Sequence, residues 1–160
     1  MTSIRHKLVT LSVLFAVTSC SNPYLDHPST IVELNSPAIG SNGFLEEAVG
    51  LETVGGILSR LLNVGCKIPC ASTETFSTAS DNQKRISTRL FRGNGTMATD
   101  AKPLGEYGIE GIPPMPRGQP LIEVRLTAEG RNLIIAATDA KTRRPYQVVR
   151  LDPQGLAVER

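Results

Sequence analysis

The feature that most constrains this chain is how briefly its apolar runs last. Between Phe44 and Leu151, Gly, Pro and Asn interrupt every run before it can lay a capped apolar stripe along a helix. Leu51 and Thr53, then Ile57 to Leu62, are two such runs parted by Gly55-Gly56, which reads as strand, turn and strand. Thr73 to Thr78 is a short Thr-rich strand. Ile86, Thr88 and Leu90 alternate with Ser87, Arg89 and Phe91 and stop at Gly93-Asn94-Gly95, a hairpin turn signal. Further strands are expected over 104–109, 121–126, 133–137 and 146–151, with Pro113, Pro114, Pro116 and Gly118 punctuating the series. Short strands at regular spacing predict an all-β, antiparallel sandwich. Aromatic residues make up 4% of the chain and Trp is absent, so the core must be built from Leu, Ile, Val and Ala.

The N-terminus is organised differently. Arg5 and Lys7 precede an almost unbroken apolar run from Leu8 to Val17, far shorter than the roughly 20 residues of a spanning helix. This is the charged and apolar pattern of a secretory signal. The run ends in Val17-Thr18-Ser19-Cys20, which resembles a bacterial lipobox, with small residues before the Cys that receives lipid. The plainer alternative is an ordinary signal in which Cys20 is incidental. The expected organisation is a signal peptide over 1–19, lipidated Cys20 with a flexible tether over 20–43, a folded domain over 44–152 and a tail over 153–160. Ser21 after the Cys, where Asp would suggest inner-membrane retention, points to the outer membrane, periplasmic side, with the inner membrane as the alternative address. Pro23, Pro28, Pro37, Gly40 and Gly43 interrupt the tether, whose reach is on the order of 25–30 Å. Within it Ile31, Val32 and Leu34 could pair as a short edge strand.

Charge excludes one class of partner. The formal net charge is +2, and two of the positive charges lie in the signal. No basic stripe for nucleic acid remains.

Several short segments carry a resemblance. Gly50-Leu51-Glu52-Thr53-Val54-Gly55-Gly56 resembles the Gly-Ile-Glu-Thr-Met-Gly-Gly segment of the peptide-binding domain of DnaK-type, seventy-kilodalton heat-shock chaperones. Ile68-Pro69 falls at that family's Thr-Ile-Pro-Thr turn, and Phe76-Ser77-Thr78-Ala79-Ser80-Asp81-Asn82-Gln83 is similar to its Phe-Ser-Thr-Ala-Glu-Asp-Asn-Gln. Leu104-Gly105-Glu106-Tyr107 and Gly111-Ile112-Pro113-Pro114-Met115-Pro116-Arg117-Gly118 resemble two later motifs, with Pro120, Ile122, Glu123 and Val124 in register after them. The resemblance runs from about residue 45 to about residue 152, in order and nearly without gaps.

The resemblance implies an extended peptide held under two loops, Glu52 to Gly56 and Ala79 to Gln83, with Val54 and Ala79 forming an arch. Backbone pairing gives affinity without regard to sequence, and one apolar socket gives preference. Leu51, Thr53, Phe76, Ile86 and Ile122 match socket-lining positions, and Ser77 and Gln83 match backbone-contacting ones. Val54 replaces a common Met and makes a stiffer bridge. Thr88 departs from an aliphatic position, so its hydroxyl needs a partner or penalises an apolar ligand by roughly 1–3 kcal/mol. Ile86 is larger than the usual Val. Any of the apolar residues would equally serve as core in an ordinary sandwich.

The family's ATPase domain and helical lid are not expected in this chain, and Arg117, at a lid-latching position, would then latch nothing. No cofactor, nucleotide or metal is expected. His6 leaves with the signal and His27 lies in the tether, so the folded part has no His for acid–base work, and neither a nucleophile elbow nor a phosphate loop is present. Cys66 and Cys70 remain after Cys20 is lipidated, in an oxidising compartment. The expected reading is a small disulfide rigidifying a turn near the groove, against two free thiols. Two functions follow: a membrane-tethered, ATP-independent holder of extended apolar segments of unfolded proteins, or an adaptor lipoprotein docking one fixed envelope partner.

Overall fold

The computed structural model describes residues 30–33 and 39–158, with side chains at 30 and from 39 onward. The signal peptide, Cys20, the remainder of the tether and residues 159–160 lie outside the described residues. The elements are β1 (Thr30–Glu33), β2 (Val49–Thr53), β3 (Ile57–Leu62), β4 (Cys70–Ser77), β5 (Arg85–Arg92), a 3-10 turn (Ala98–Asp100), β6 (Lys102–Glu110), β7 (Leu121–Glu129), β8 (Asn132–Asp139) and β9 (Pro145–Leu151). All pairings are antiparallel, as the alternating pattern predicted.

Strand order is β3-β2-β5-β6-β9-β8-β7-β4, and β9 joins the two halves. Its residues Gln147 to Leu151 pair with β6, whereas Pro145 and Tyr146 pair with β8. One layer is therefore β3-β2-β5-β6 with Gln147 to Leu151 of β9, and the other is the start of β9 with β8-β7-β4. Inward positions recur every second residue, as strand geometry requires. In β7 these are Ile122, Val124, Leu126 and Ala128, each at most 1% exposed. They meet Leu51, Leu61, Leu90 and Ile109 of the other layer in one cluster.

Gly50 shows why β2 carries a glycine. A Cβ there would lie 2.2 Å from the carbonyl oxygen of Ser59, at a register shift between β2 and β3. Only a residue without a side chain lets the two backbones approach so closely.

Three parts of the sequence reading change. The segment read as tether contributes β1, whose backbone pairs Thr30 to Glu33 with Ile135 to Asn132 of β8. The edge that β9 leaves when it crosses to β6 needs backbone partners, and β1 supplies them. Gly93-Asn94-Gly95 does not close a tight hairpin. Residues 93–101 make a longer excursion in which Ala98 covers Leu58 and Phe91 in a second small apolar cluster. The disulfide does form, between Cys66 and Cys70, but at the end of the sandwich opposite the two arch loops. Cys70 pairs with Ala128 at one end of β4, and Ser77 with Leu121 at the other. There the 66–70 loop, with a cis Ile68–Pro69 bond, grips the segment entering the domain: Leu45 donates to the Cys66 carbonyl and Ile68 to that of Gly43, both at 3.0 Å.

Candidate functional site

Topology puts the two arch loops side by side. β2 and β5 are neighbours running in opposite directions, so the turn after Thr53 and the loop before Arg85 leave the same end of the sandwich. Pairing between these strands extends only from Val49–Arg92 to Leu51–Leu90. Beyond Leu51 the strands part. Glu52 and Thr53 keep their bonds to β3, and Arg85 to Arg89 keep theirs to β6, but their facing edges do not pair. Glu52 and Arg89, the first residues past the divergence, form an ion pair across it.

The first loop is the tight turn Thr53-Val54-Gly55-Gly56, closed by Gly56 N–H donating to the Thr53 carbonyl at 3.0 Å. Gly55 and Gly56 both have left-handed φ, at 86° and 75°, which any side chain would oppose. Val54 is carried at the tip with 94% of its surface exposed. The second loop, 78–84, is held from within and from below. Gln83 Oε1 accepts from Ala79 N–H at 2.9 Å and Ser80 N–H at 3.2 Å, while its Nε2 donates to the Arg85 carbonyl at 2.8 Å. Asn82, at φ 55°, donates its N–H to the Met115 carbonyl at 2.8 Å, and Arg117 N–H donates to Asp81 Oδ1 at 2.8 Å. The Pro-rich segment after β6 is thus the seat of this loop. Arg117 contributes by its backbone N–H, and its side chain stands exposed.

Between the loops the predicted residues divide by depth. Leu51 and Ile122, at 2% and 0% exposed, form the base. Phe76, the register partner of Ile122, and Ile86, the partner of Ile109, are half-buried and pack against that base from the open end. Thr53, Val54 and Ala79 lie above. Ser77 is outward, its Oγ donating to the Pro120 carbonyl at 2.7 Å. The side chains of Ser77 and Gln83 are therefore engaged in shaping the loop.

Thr88 faces the interior side of β5 opposite Tyr107. It is half-buried, and its hydroxyl makes no hydrogen bond among the described residues. Tyr107 is fully buried and its hydroxyl also lacks a partner; burial pushes this phenol above its usual pKa, with the Arg150 charge pulling weakly the other way.

One contributor was not singled out by sequence reasoning. Ile57, 51% exposed, opens β3 opposite Thr53 and by alternation shares the face of Ser59 and Leu61, the side toward the opposite layer. Its signal was present: an apolar residue directly after Gly-Gly, two positions from an inward strand residue.

The comparison with known families agrees with this arrangement. The chain matches the family described as Hsp70 protein over residues 46–157, from just before β2 to just past β9, more than two thirds of its length. With the arch motif, the Phe76–Gln83 loop and the Pro-rich seat all inside that span, the chain belongs to the Hsp70 protein family.

Proposed function

We propose that this chain is a membrane-tethered module that binds extended apolar polypeptide segments without ATP and without catalysing a reaction. The observation that carries the reading is the divergence of β2 from β5 beyond Leu51 and Leu90, between an exposed Val54 and the half-buried Phe76 and Ile86. Unpaired strand edges offer backbone donors and acceptors, and the half-buried apolar floor offers one side chain a dry site. The tether reading rests on Val17-Thr18-Ser19-Cys20 and the apolar run before it. Independence from ATP is supported by the absence of a phosphate-cradling motif from the sequence.

The test is binding of a fluorescent, extended, Leu-rich peptide, followed by anisotropy, to wild type and to Ile86→Phe. Added volume at Ile86 fills the floor, so binding is lost while the sandwich stays folded, at a stability cost of about 1–3 kcal/mol. No binding by wild type at high micromolar peptide, or equal binding by a folded Ile86→Phe, sinks the proposal. The tether is tested separately: Cys20→Ala gives unprocessed or soluble protein, because acyl chains and not a spanning helix would hold it to the membrane.

A second reading is favoured by Thr88. A hydroxyl at this half-buried position suits one fixed envelope partner that supplies a hydrogen-bonding group better than it suits general apolar segments. In that case the Leu-rich peptide does not bind and a single envelope protein co-purifies stoichiometrically.

A further inference from the structure

Pairing of β1 with β8 brings the folded domain closer to the proposed anchor. The sequence allots residues 20–43 to a tether, yet Thr30 is already seated on the sheet. Its backbone pairs with Ile135, and its hydroxyl donates to the Val148 carbonyl of β9 at 2.7 Å. Ten residue steps separate Cys20 from Thr30, and fully extended they span at most about 35 Å. A domain of this size is itself roughly 35 Å across. With acyl chains on Cys20, the side of the sandwich where β9 crosses between the layers is the side tied nearest the bilayer.

The last described residues return to that same side. Asp152 turns the chain back, its Oδ1 accepting from Gln154 N–H at 2.9 Å and Leu156 N–H at 2.8 Å. Leu151 then bridges Ala157, and Val158 N–H donates to the Arg150 carbonyl at 2.8 Å. Val158 is thus held two residues along β9 from the carbonyl that holds Thr30. Leu156 and Val158 flank Ala157, so by alternation they share one face of this short pairing. They are 65% and 51% exposed. Arg150, opposite Val158, is also exposed and pairs with no carboxylate among the described residues. Backbone bonds hold this segment to β9, and neither apolar side chain enters a core cluster. The fold therefore does not require apolar residues at 156 and 158.

We propose that Leu156, Val158 and Arg150 dock on the surface of the bilayer that carries the chain's own acyl anchor. The two apolar side chains enter the headgroup boundary, and the guanidinium meets lipid phosphate. Apolar burial and attraction to lipid charge add together in such interfacial contacts. A covalent tether makes the docking intramolecular, at an effective concentration in the millimolar range, so a patch this small suffices. Leu151 pairs with Glu106, whereas Glu110 pairs with Arg85 beside the second arch loop. The patch therefore lies at the end of β9 away from the arch loops, and the docked domain keeps its cleft open to solvent. The inference rests on the lipid-tether reading above.

The chain is produced from the full sequence in a bacterial host, and intact mass reports its acylation. It is then placed in phosphatidylethanolamine and phosphatidylglycerol vesicles that contain a phospholipid with a photoreactive diazirine near its headgroup. Lipid adducts are mapped by mass spectrometry after illumination. Adducts concentrate on residues 150–158 and are absent from the arch loops. Replacing Leu156 and Val158 together by Ser lowers the yield there about tenfold, the effect of two partly buried side chains. Val64→Ser, at an exposed apolar residue elsewhere on the surface, leaves it unchanged. Melting curves of the variants confirm the fold. If the chain is acylated but its adducts are spread over the whole surface, or do not respond to the double substitution, the docking is overturned and the tether reading survives. If its mass shows no acyl group, the tether reading falls and the docking with it. If sedimentation of the detergent-solubilised chain shows a dimer that the double substitution dissociates, a second copy covers the patch and the proposal is overturned.

Discussion

The phenolic oxygen of Tyr107 lies 3.0 Å from the point where a Cβ on Gly105 would stand, so the ring lies across the glycine two residues before it. Gly105 has φ 141°, a conformation few side chains accept. The ring thereby fills the place of the missing side chain, but its hydroxyl is carried into the interior without a partner. An unsatisfied buried hydroxyl costs about 1–3 kcal/mol.

Tyr107→Phe is therefore expected to stabilise the domain by about 1 kcal/mol, seen as a higher urea midpoint with an unchanged slope. Gly105→Ala moves the midpoint the other way. A lower midpoint for Tyr107→Phe would mean that the hydroxyl has a bonding role.

Thr88→Val removes a half-buried hydroxyl from this face. Affinity for a Leu-rich peptide rises about three- to tenfold, because an apolar ligand no longer strips water from the hydroxyl. Stability moves by less than about 1 kcal/mol. An unchanged or lower affinity, read by anisotropy, would place Thr88 outside the contact.

Cys66 and Cys70 act at the end away from the arch loops. Replacing both with Ser costs up to about 2 kcal/mol, the loop-entropy value for so short a ring. Amide exchange should quicken at Leu45 and Ile68, which donate to Cys66 and Gly43. Exchange at Asn82 and peptide affinity should stay as in wild type. A change in peptide affinity would show that the two ends of the sandwich communicate.

Alkaline pH should weaken the fold through Tyr146. Burial, and then its hydroxyl's hydrogen bond to Asp139 at 3.1 Å, push this phenol up to about 12. The unfolded phenol ionises near 10, so the native state holds its proton more tightly. The contribution is complete below about pH 10 and is lost as pH climbs toward 12. Tyr146→Phe should flatten stability over that interval in urea titrations at stepped pH. Asp139 works in the opposite range. Thr142 and Lys141 N–H groups and the Tyr146 hydroxyl outweigh a smaller desolvation effect and lower its pKa, so its contribution fades only as pH falls below the usual carboxylate value.

Most of the strands were legible because period-two burial writes itself into sequence. Ile122 to Glu129 alternates apolar and polar residues, and β5 does the same from Arg85 to Leu90 except at Thr88, a polar residue at an inward position. The site was legible through its glycines and its Phe76–Gln83 loop, where conformation leaves few choices of residue. What escaped depended on distant neighbours. An edge strand at Ile31 and Val32 was offered by the sequence, but its partner was not: β9 vacates an edge of β8, and nothing local to residue 31 records that event. Gly93-Asn94-Gly95 has the composition of a tight turn, but Leu58 and Phe91 need a cover, and Ala98 travels to provide it. The disulfide's place relative to the groove depended on which way β4 runs, and spacing between two Cys residues carries no such information.

Thr30 Oγ1 donates to the Val148 carbonyl at 2.7 Å, and Val158 N–H donates to the Arg150 carbonyl at 2.8 Å. The first and last described residues therefore hang from the same strand, two residues apart, roughly 7 Å along β9. A short Gly/Ser linker can join them without crossing any layer, and the chain can then be opened at the exposed turn of Lys141 and Thr142. Such a circular permutant keeps every strand pairing and leaves both arch loops intact, while its new termini emerge beside the groove. The order in which these strands are strung is thus separable from the shape they make.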